Sequence, residues 1–335
     1  MKERRPDFER DRDRILGSRA FRRLAGKTQV VALPSEPLVR TRLTHTLEVS
    51  SIARKIGRGL SEPRVRDALV EAIALGHDLG HPAFAHAGEK ALASVVPGGF
   101  HHAAHGVRVV TVLEPGLDLA PETVEGILKH SKGRAGAVFG RGGGLGSVTR
   151  EALVVRAADI YAYACHDLDD AYLLGLLHRH DVPSRVVAIL GTEPDEVRRV
   201  LVDRTIASSN ARGDVSLEAE AEAALGDLRA FLFERLYEAR RISSQTACVH
   251  TIVEWMWGVA CERPRDFCAV VARLGLSSSW AQEGTCAPID FVDAFAAMTD
   301  RQVLDACRSL RPPAKVTSHK SWASRPPAVF RMEGS

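Results

Sequence analysis

Apolar residues recur at every third or fourth position along most of the chain, and that period predicts helices. Residues 41–60 place Leu43, Leu47, Ile52, Ile56 and Leu60 near helical spacing. A second helix is expected over 64–79, between Pro63 and Gly80, residues that punctuate helices. Leu69, Ile73 and His77 share its apolar face at i, i+4 and i+8. A short helix is expected over 86–95, closed by Pro97-Gly98-Gly99, and another over 121–130. One long helix is expected over 149–176, and the region 183–240 also reads as helical. Alternating, strand-like runs are scarce and no internal repeat is visible, so the predicted fold class is all-α. Residues 131–147 are glycine-rich and read as a flexible loop or lid. There is no GK[ST] sequel and no preceding strand to make that stretch a phosphate-cradling loop. The Pro/Ser-rich end, 313–335, reads as a loose tail.

Composition narrows the function classes. A length of 335 residues is the size of roughly two domains, and 45% hydrophobic with 26% charged residues is ordinary for a soluble globular chain. The net charge of +3 is too small to predict nucleic acid or an anionic membrane as the main partner. No run approaches 18 uninterrupted apolar residues, and MKERRPDFERD has no secretory apolar core, so a cytoplasmic protein is expected. Six cysteines without a CxxC pair form neither a disulfide framework nor a zinc ribbon. The unusual count is 13 histidines, seven of them between His77 and His130.

The chemistry concentrates in GHDLGHPAFAHAGE, residues 76–89, which carries His77, Asp78, His81, His86 and Glu89. His77 lies on an apolar helix face and is followed at once by an acid. A buried His-Asp pair is costly unless something partners both, and a metal ion does so. Two ligands do not complete a site. His45 in TRLTHTLEV and Asp159 in VRAADIYAY supply two more from other predicted helices. Imidazole and carboxylate together suit a divalent transition ion better than calcium. His86 and Glu89, three apart, meet on one face if a helix starts there, and Glu89 can then orient His86.

The arrangement of His, His-Asp and Asp on three helices resembles the HD-domain metal-dependent phosphohydrolases. RDRDRILGSRAFRRLAGKTQV, TRLTHTLEV, GHDLGHPAFAHAGE, GGFHHAAHGVRVV, TVEGILKH, VRAADIYAYACHDLDDA and DAFAAMTDRQVL occur in the order of one family within them. That family is the deoxyguanosine triphosphate triphosphohydrolase-like (dNTPase) enzymes, and the resemblance covers about residues 7–310. It implies an HD-domain helical bundle over 1–180 and a helical C-terminal extension over 181–312 packed on it. It also implies a metal held by His45, His77, Asp78 and Asp159, with His86, Glu89 and His102 as catalytic residues. Arg42 and Lys129 are implied as triphosphate contacts, with Arg22, Arg23 and Lys27 as further candidates. Gln29 is implied against sugar or base, and Tyr163 beneath the deoxyribose, where it excludes a 2′-hydroxyl. His101 and His105 read as surface positions, and His166 in HDLDD as a supporting group rather than a ligand.

Three departures stand out: PAFAH for the commoner PPFGH, Ala103 after His102 where asparagine is usual, and Ile160 where relatives often carry a polar residue. The expected reaction is hydrolysis of a deoxynucleoside triphosphate to deoxynucleoside and inorganic triphosphate. It needs a divalent metal: Mn, Mg, or another transition metal such as Fe, Co, Ni or Zn. The expected assembly is a homo-oligomer. The alternatives are an HD-domain nucleotidase of other specificity and a non-catalytic nucleotide-sensing module.

Overall fold

The computed structural model describes residues 6–29, 40–131, 139, 148–237, 240–276 and 283–310. Its helices are α1 (Phe8–Gly17), α2 (Arg19–Arg23), α3 (Arg42–Gly59), α4 (Asp67–Gly76), α5 (Ala85–Val95), α6 (His102–Arg108) and α7 (Pro121–Lys129). There follow α8 (Arg150–Leu173), α9 (Ser184–Leu190), α10 (Pro194–Arg212), α11 (Ala219–Leu232), α12 (Arg240–Glu262) and α13 (Pro264–Arg273). The last two are α14 (Pro288–Ala297) and α15 (Asp300–Leu310). No strand occurs among the described residues, so the all-α expectation holds. No described helix is long and apolar enough to cross a membrane.

Two compact units divide the chain. The first comprises the described residues within Met1–Ala25, Glu36–Gly80 and Ala103–Ala239, and the second those within Gly26–Ser35, His81–His102 and Arg240–Ser335. The boundary drawn at 180 from sequence falls inside the first unit. The 313–335 tail, and the glycine-rich stretch apart from residues 131 and 139, lie outside the described residues.

The first unit is organised around α8. From Glu151 to Ala171 only Asp159, Tyr163 and Asp169 escape full burial. A helix buried nearly all round is a core element, and Asp159 and Tyr163, one turn apart, mark where it opens. Thr149 caps it by accepting from the Ala152 amide. Against α8 pack α3, α4 and α10. Thr41 and Thr44 form a reciprocal capping box that starts α3 and fixes its first turn, where His45 sits. Close approach of α4 and α7 requires glycine: a Cβ on Gly126 would lie 2.2 Å from Ile73 Cδ1. The predicted 64–79 helix is shorter than expected, because α4 ends at Gly76 and residues 77–80 form a turn. The ring of His77 turns back to bond the Ala74 carbonyl, so the HD pair leaves the helix rather than extending it.

The second unit packs α5 against α12, with α13 and α15 closing a core around Trp255, Met256, Phe267, Phe291 and Phe295. Phe84, fully buried in that core, has φ 62°, and Ala85 has φ 56°. Two consecutive non-glycine residues in the left-handed region are strained and need outside support. The support is polar. Asp300 Oδ1 accepts from the Phe84 amide at 2.8 Å. Asp300 Oδ2 accepts from the amide and hydroxyl of Thr28 at 3.0 and 2.8 Å. Lys27, buried, donates to the carbonyls of His81 and Ala296 at 2.6 and 2.7 Å. These bonds tie together three segments far apart in sequence and fix the turn that leads into α5, whose first residues include His86. Gly88 is part of the same device: a Cβ there would fall 1.9 Å from the Ala83 carbonyl oxygen.

Candidate metal centre and histidine cluster

In the first unit His45, His77, Asp78 and Asp159 converge. His45 Nε2 lies 3.1 Å from Asp159 Oδ1 and 3.9 Å from Asp78 Oδ2. His77 Nε2 lies 3.5 Å from Asp78 Oδ1 and 3.7 Å from Asp159 Oδ1. His45, His77 and Asp78 are buried, and Asp159 is partly so. Burial pushes the Asp159 carboxyl up, but the hydrogen bond from His45 and the charges of His77 and His45 outweigh it. The group is held well below the usual carboxylate range.

Hydrogen accounting tests whether the set fits a metal. His77 Nδ1 is 2.6 Å from the Ala74 carbonyl and must donate to it. Its buried Nε2 has no hydrogen-bond partner among the described residues. The ring therefore has only Nε2 left to offer, and that buried atom stands before two carboxylates, where a metal ion would take its lone pair and balance both acids. The donor set of imidazole nitrogen and carboxylate oxygen fits a divalent transition ion, and His45, His77 and Asp78 have ligand atoms close enough to share one.

The neighbouring groups differ in what they are doing. Arg42 is buried and donates to Asp78 Oδ2 at 2.6 Å. Lys129, almost buried, bonds Glu125. Arg156 fixes the end of α7 by donating to the carbonyls of Lys129 and His130. Tyr163 meets the His45 ring edge-on at 5.6 Å. Burial first, and then Asp167, raises its phenol well above the ordinary value, so it is a neutral hydroxyl. The His130 ring, T-shaped to His77 at 5.1 Å, is a buried neighbour that carried no role in the sequence. His105, expected at the surface, is instead buried with Nδ1 3.2 Å from the Gly80 carbonyl, because α6 packs on the turn after α4.

The second unit holds the other cluster. Glu89 Oε1 accepts from the His102 amide at 2.9 Å and lies 2.8 Å from His102 Nδ1. Glu89 Oε2 is 3.5 Å from His86 Nδ1. His81, buried, stacks on His102 with ring centroids 4.0 Å apart and contacts His86 edge-on. Burial raises the Glu89 carboxyl, but bonds from His102 and His86 and the nearby His81 dominate and hold it far below its usual range. His101 is exposed, and partial burial beside His102 lowers its pKa. Gln29 is fully buried, and neither side-chain amide atom has a hydrogen-bond partner among the described residues. Lys27, a sequence candidate for a phosphate contact, spends its ammonium on backbone carbonyls.

The comparisons with known proteins agree on the fold and family. The HD domain family matches residues 42–164, the span that holds the four converging residues. The chain is 39% identical over 307 residues to a deoxyguanosinetriphosphate triphosphohydrolase-like protein of Caldanaerobacter subterraneus, covering 90% of this chain and 83% of that one. The chain belongs to the deoxyguanosinetriphosphate triphosphohydrolase-like family. Another member, from Desulfatibacillum aliphaticivorans, is 38% identical over 90% of this chain and 86% of its own. One from Deinococcus radiodurans is 34% identical over 92% and 91%. A crystal structure of a hypothetical protein from Aquifex aeolicus superposes with a TM-score of 0.51 at 18% identity, covering 89% of this chain and 67% of that one. That likeness concerns the fold alone. As a member of this HD-domain family the chain is a metal-dependent phosphohydrolase.

Proposed function

We propose that this triphosphohydrolase-like protein hydrolyses deoxynucleoside triphosphates to the deoxynucleoside and inorganic triphosphate. The observation that carries the reading is the buried His77 Nε2, facing Asp78 and Asp159 with no hydrogen-bond partner among the described residues. It occurs in a chain whose relatives bear a triphosphohydrolase-like name. His45, His77, Asp78 and Asp159 are the groups proposed to hold the metal. A divalent ion, when bound, supplies positive charge for an α-phosphate and acidifies water towards neutrality.

The chain's own residues are proposed to do the rest. His86 and His102, with Glu89 as their shared carboxylate, are the proton-transfer groups. One takes a proton from the attacking water, and one delivers a proton to the 5′ oxygen of the deoxynucleoside as its bond to the α-phosphorus breaks. Arg42 and Lys129 take triphosphate oxygens, exchanging Asp78 and Glu125 for a more highly charged partner. Gln29 offers its buried amide to sugar or base. Tyr163, a neutral phenol at the open face of α8, packs under the deoxyribose, where a 2′-hydroxyl would collide.

A second reading is an HD-domain nucleotidase of other specificity. It is favoured by the engagement of Arg42 and Lys129 with carboxylates and of Lys27 with carbonyls, which leaves fewer cations committed to a polyphosphate. Product analysis separates the two. The protein is loaded with Mn or Mg and offered each dNTP, NTP and nucleoside monophosphate. Deoxynucleoside plus triphosphate, abolished in His77→Ala, is the expected result. Monophosphate plus pyrophosphate, or phosphate released only from monophosphates, would replace it with the second reading. Nucleotide binding without turnover, alone or in mixtures, would make the chain a sensor.

A further inference from the structure

The HDLDD run, His166 to Asp170, is the sequence feature to which the proposed reaction gives no role. His166 lies seven residues beyond Asp159, two turns along α8 and close to the same face. Its ring stands edge-on to His45, with centroids 5.3 Å apart, and the two Nδ1 atoms are 3.2 Å apart. Its Nε2 lies 2.5 Å from Glu48 Oε2. Glu48 Oε1 in turn accepts from Arg40 Nε at 3.3 Å. The Arg40 Nη1 pairs with Asp169 and Asp170 at 2.8 and 3.0 Å. His45, His166 and Asp170 are buried.

The protons in this chain of contacts can be placed one by one. Glu48, as a carboxylate, only accepts, so His166 Nε2 carries hydrogen. With its hydrogen on Nε2, His166 turns Nδ1 to His45 as an acceptor across 3.2 Å. Only one proton fits between two facing Nδ1 atoms, so it belongs to His45. With Nδ1 carrying a hydrogen of its own, His45 Nε2 can give up the hydrogen it shares with Asp159 at 3.1 Å and turn a lone pair to a metal ion between Asp159 and Asp78. The other ligand histidine reaches the same tautomer differently, because His77 donates Nδ1–H to the backbone carbonyl of Ala74.

We propose that His166 and Glu48 form a positioning relay that fixes the ring orientation and tautomer of His45 for metal binding, with Arg40 and the Asp169/Asp170 pair holding Glu48 in place. The proposal rests on the reading of His45, His77, Asp78 and Asp159 as a metal centre. It makes the two histidine ligands unequal: one is set by helix backbone and cannot be altered by side-chain substitution, the other by two side chains. It also gives the acidic run a task, since Asp169 and Asp170 orient the arginine that orients the relay's terminal acid.

The test is calorimetric titration of Mn²⁺ into metal-stripped full-length wild type, His166→Ala, His166→Gln and Glu48→Gln, without nucleotide. A partner that orients a ligand histidine is typically worth about 10–100-fold in metal affinity. The expected result is a Kd raised by about that factor in His166→Ala, with one ion still bound. His166→Gln recovers much of the loss, since its amide accepts from His45 and donates to Glu48. Glu48→Gln falls between wild type and His166→Ala. The visible ligand-field spectrum of the Co²⁺-loaded proteins shifts in His166→Ala and returns towards wild type in His166→Gln, a signature that mere loss of packing does not give. Equal Mn²⁺ affinity and unchanged Co²⁺ spectra in wild type and His166→Ala would overturn the relay and leave the metal centre standing. Failure of the wild type itself to bind Mn²⁺ or Co²⁺ would overturn the metal centre and the relay with it. If His166→Ala does not fold, the Glu48→Gln and His166→Gln pair decides by the same readouts.

Discussion

Each of the two units carries a histidine-carboxylate cluster, and the two are unalike in what they lack. In the first unit Asp78 and Asp159 face His45 and His77, and His77 turns towards both acids a buried Nε2 that has no hydrogen-bond partner among the described residues. In the second, Glu89 already has the His102 amide, the His102 ring and the His86 ring around its two oxygens. Both sets bring enough ligand atoms together to suit an ion by proximity. Counting ligands therefore does not separate them, and counting hydrogen-bond partners does. The first set keeps a buried ring nitrogen without a hydrogen-bond partner among the described residues in front of two carboxylates, a place suited to a cation. The second has donors facing an acceptor and is stable as a proton-bearing set.

The largest effect that could break this contrast is on the metal itself. His77→Ala is expected to abolish stoichiometric Mn²⁺ binding in calorimetry and to bring turnover to background. His77 is chosen over Asp78 because Asp78 also neutralises the buried Arg42. Stranding a buried charge costs about 3–5 kcal/mol, which would confuse lost metal with lost fold. Full Mn²⁺ affinity in His77→Ala would remove the central argument for the first cluster.

The next effect is on chemistry without the metal. Glu89→Gln is expected to leave Mn²⁺ stoichiometry and affinity unchanged while lowering kcat by about 10²–10⁴-fold, the usual worth of positioned acid-base groups. Steady-state kinetics beside calorimetry reads both. Loss of a second bound ion in Glu89→Gln would mean that the two clusters are of one kind after all.

How far the sequence foretold this contrast depends on the distance over which each group acts. The four converging residues were visible because histidine and aspartate stand out against apolar helix faces, and the helices that carry them announce themselves by period. His86 and Glu89 were visible because they are three apart on α5. Glu48 was not: in LEVSS it reads as an ordinary solvated glutamate, and its partner His166 is 118 positions away. Nor was Asp300, which reaches Phe84 across 216 positions. Helix periodicity also carried the prediction three residues too far at His77, since a side chain bonding back to Ala74 is a local event that no periodic pattern records. Lys27 misled for a related reason. A lysine in a basic segment suggests a phosphate contact, and only the tertiary structure supplies the carbonyls of His81 and Ala296 that engage it.

Asp300 gives a third, smaller effect, confined to the second cluster. In Asp300→Asn one oxygen still serves Phe84, but an amide NH₂ then faces the donors of Thr28. The strained Phe84–Ala85 step should relax and carry His86 with it. A displacement of about 1 Å in a catalytic group can cost on the order of 10²-fold. The expected outcome is a lowered kcat with unchanged Mn²⁺ affinity, measured as for Glu89→Gln. Unchanged kcat with a lower melting temperature would make Asp300 a fold-stabilising residue only.

The smallest effect is on acid stability of the metal-free protein, and its sign follows from Glu48. Burial raises this carboxyl, but the hydrogen bond from His166 and the guanidinium of Arg40 prevail and bring it from 4.5 down to about 2. A group whose folded pKa lies below its unfolded value binds fewer protons in the native state. It therefore adds stability that is fully present above pH 4.5 and is lost as the pH falls from there towards about 2. Glu48 is a third exposed, so solvent screening limits the contribution to roughly 1 kcal/mol. Denaturant unfolding in a chelator between pH 6 and pH 3 should show a shallower acid loss in Glu48→Gln than in wild type. Identical acid slopes would mean that the charge on Glu48 is not what ties the relay together, and that any effect of Glu48→Gln on metal affinity comes from geometry alone.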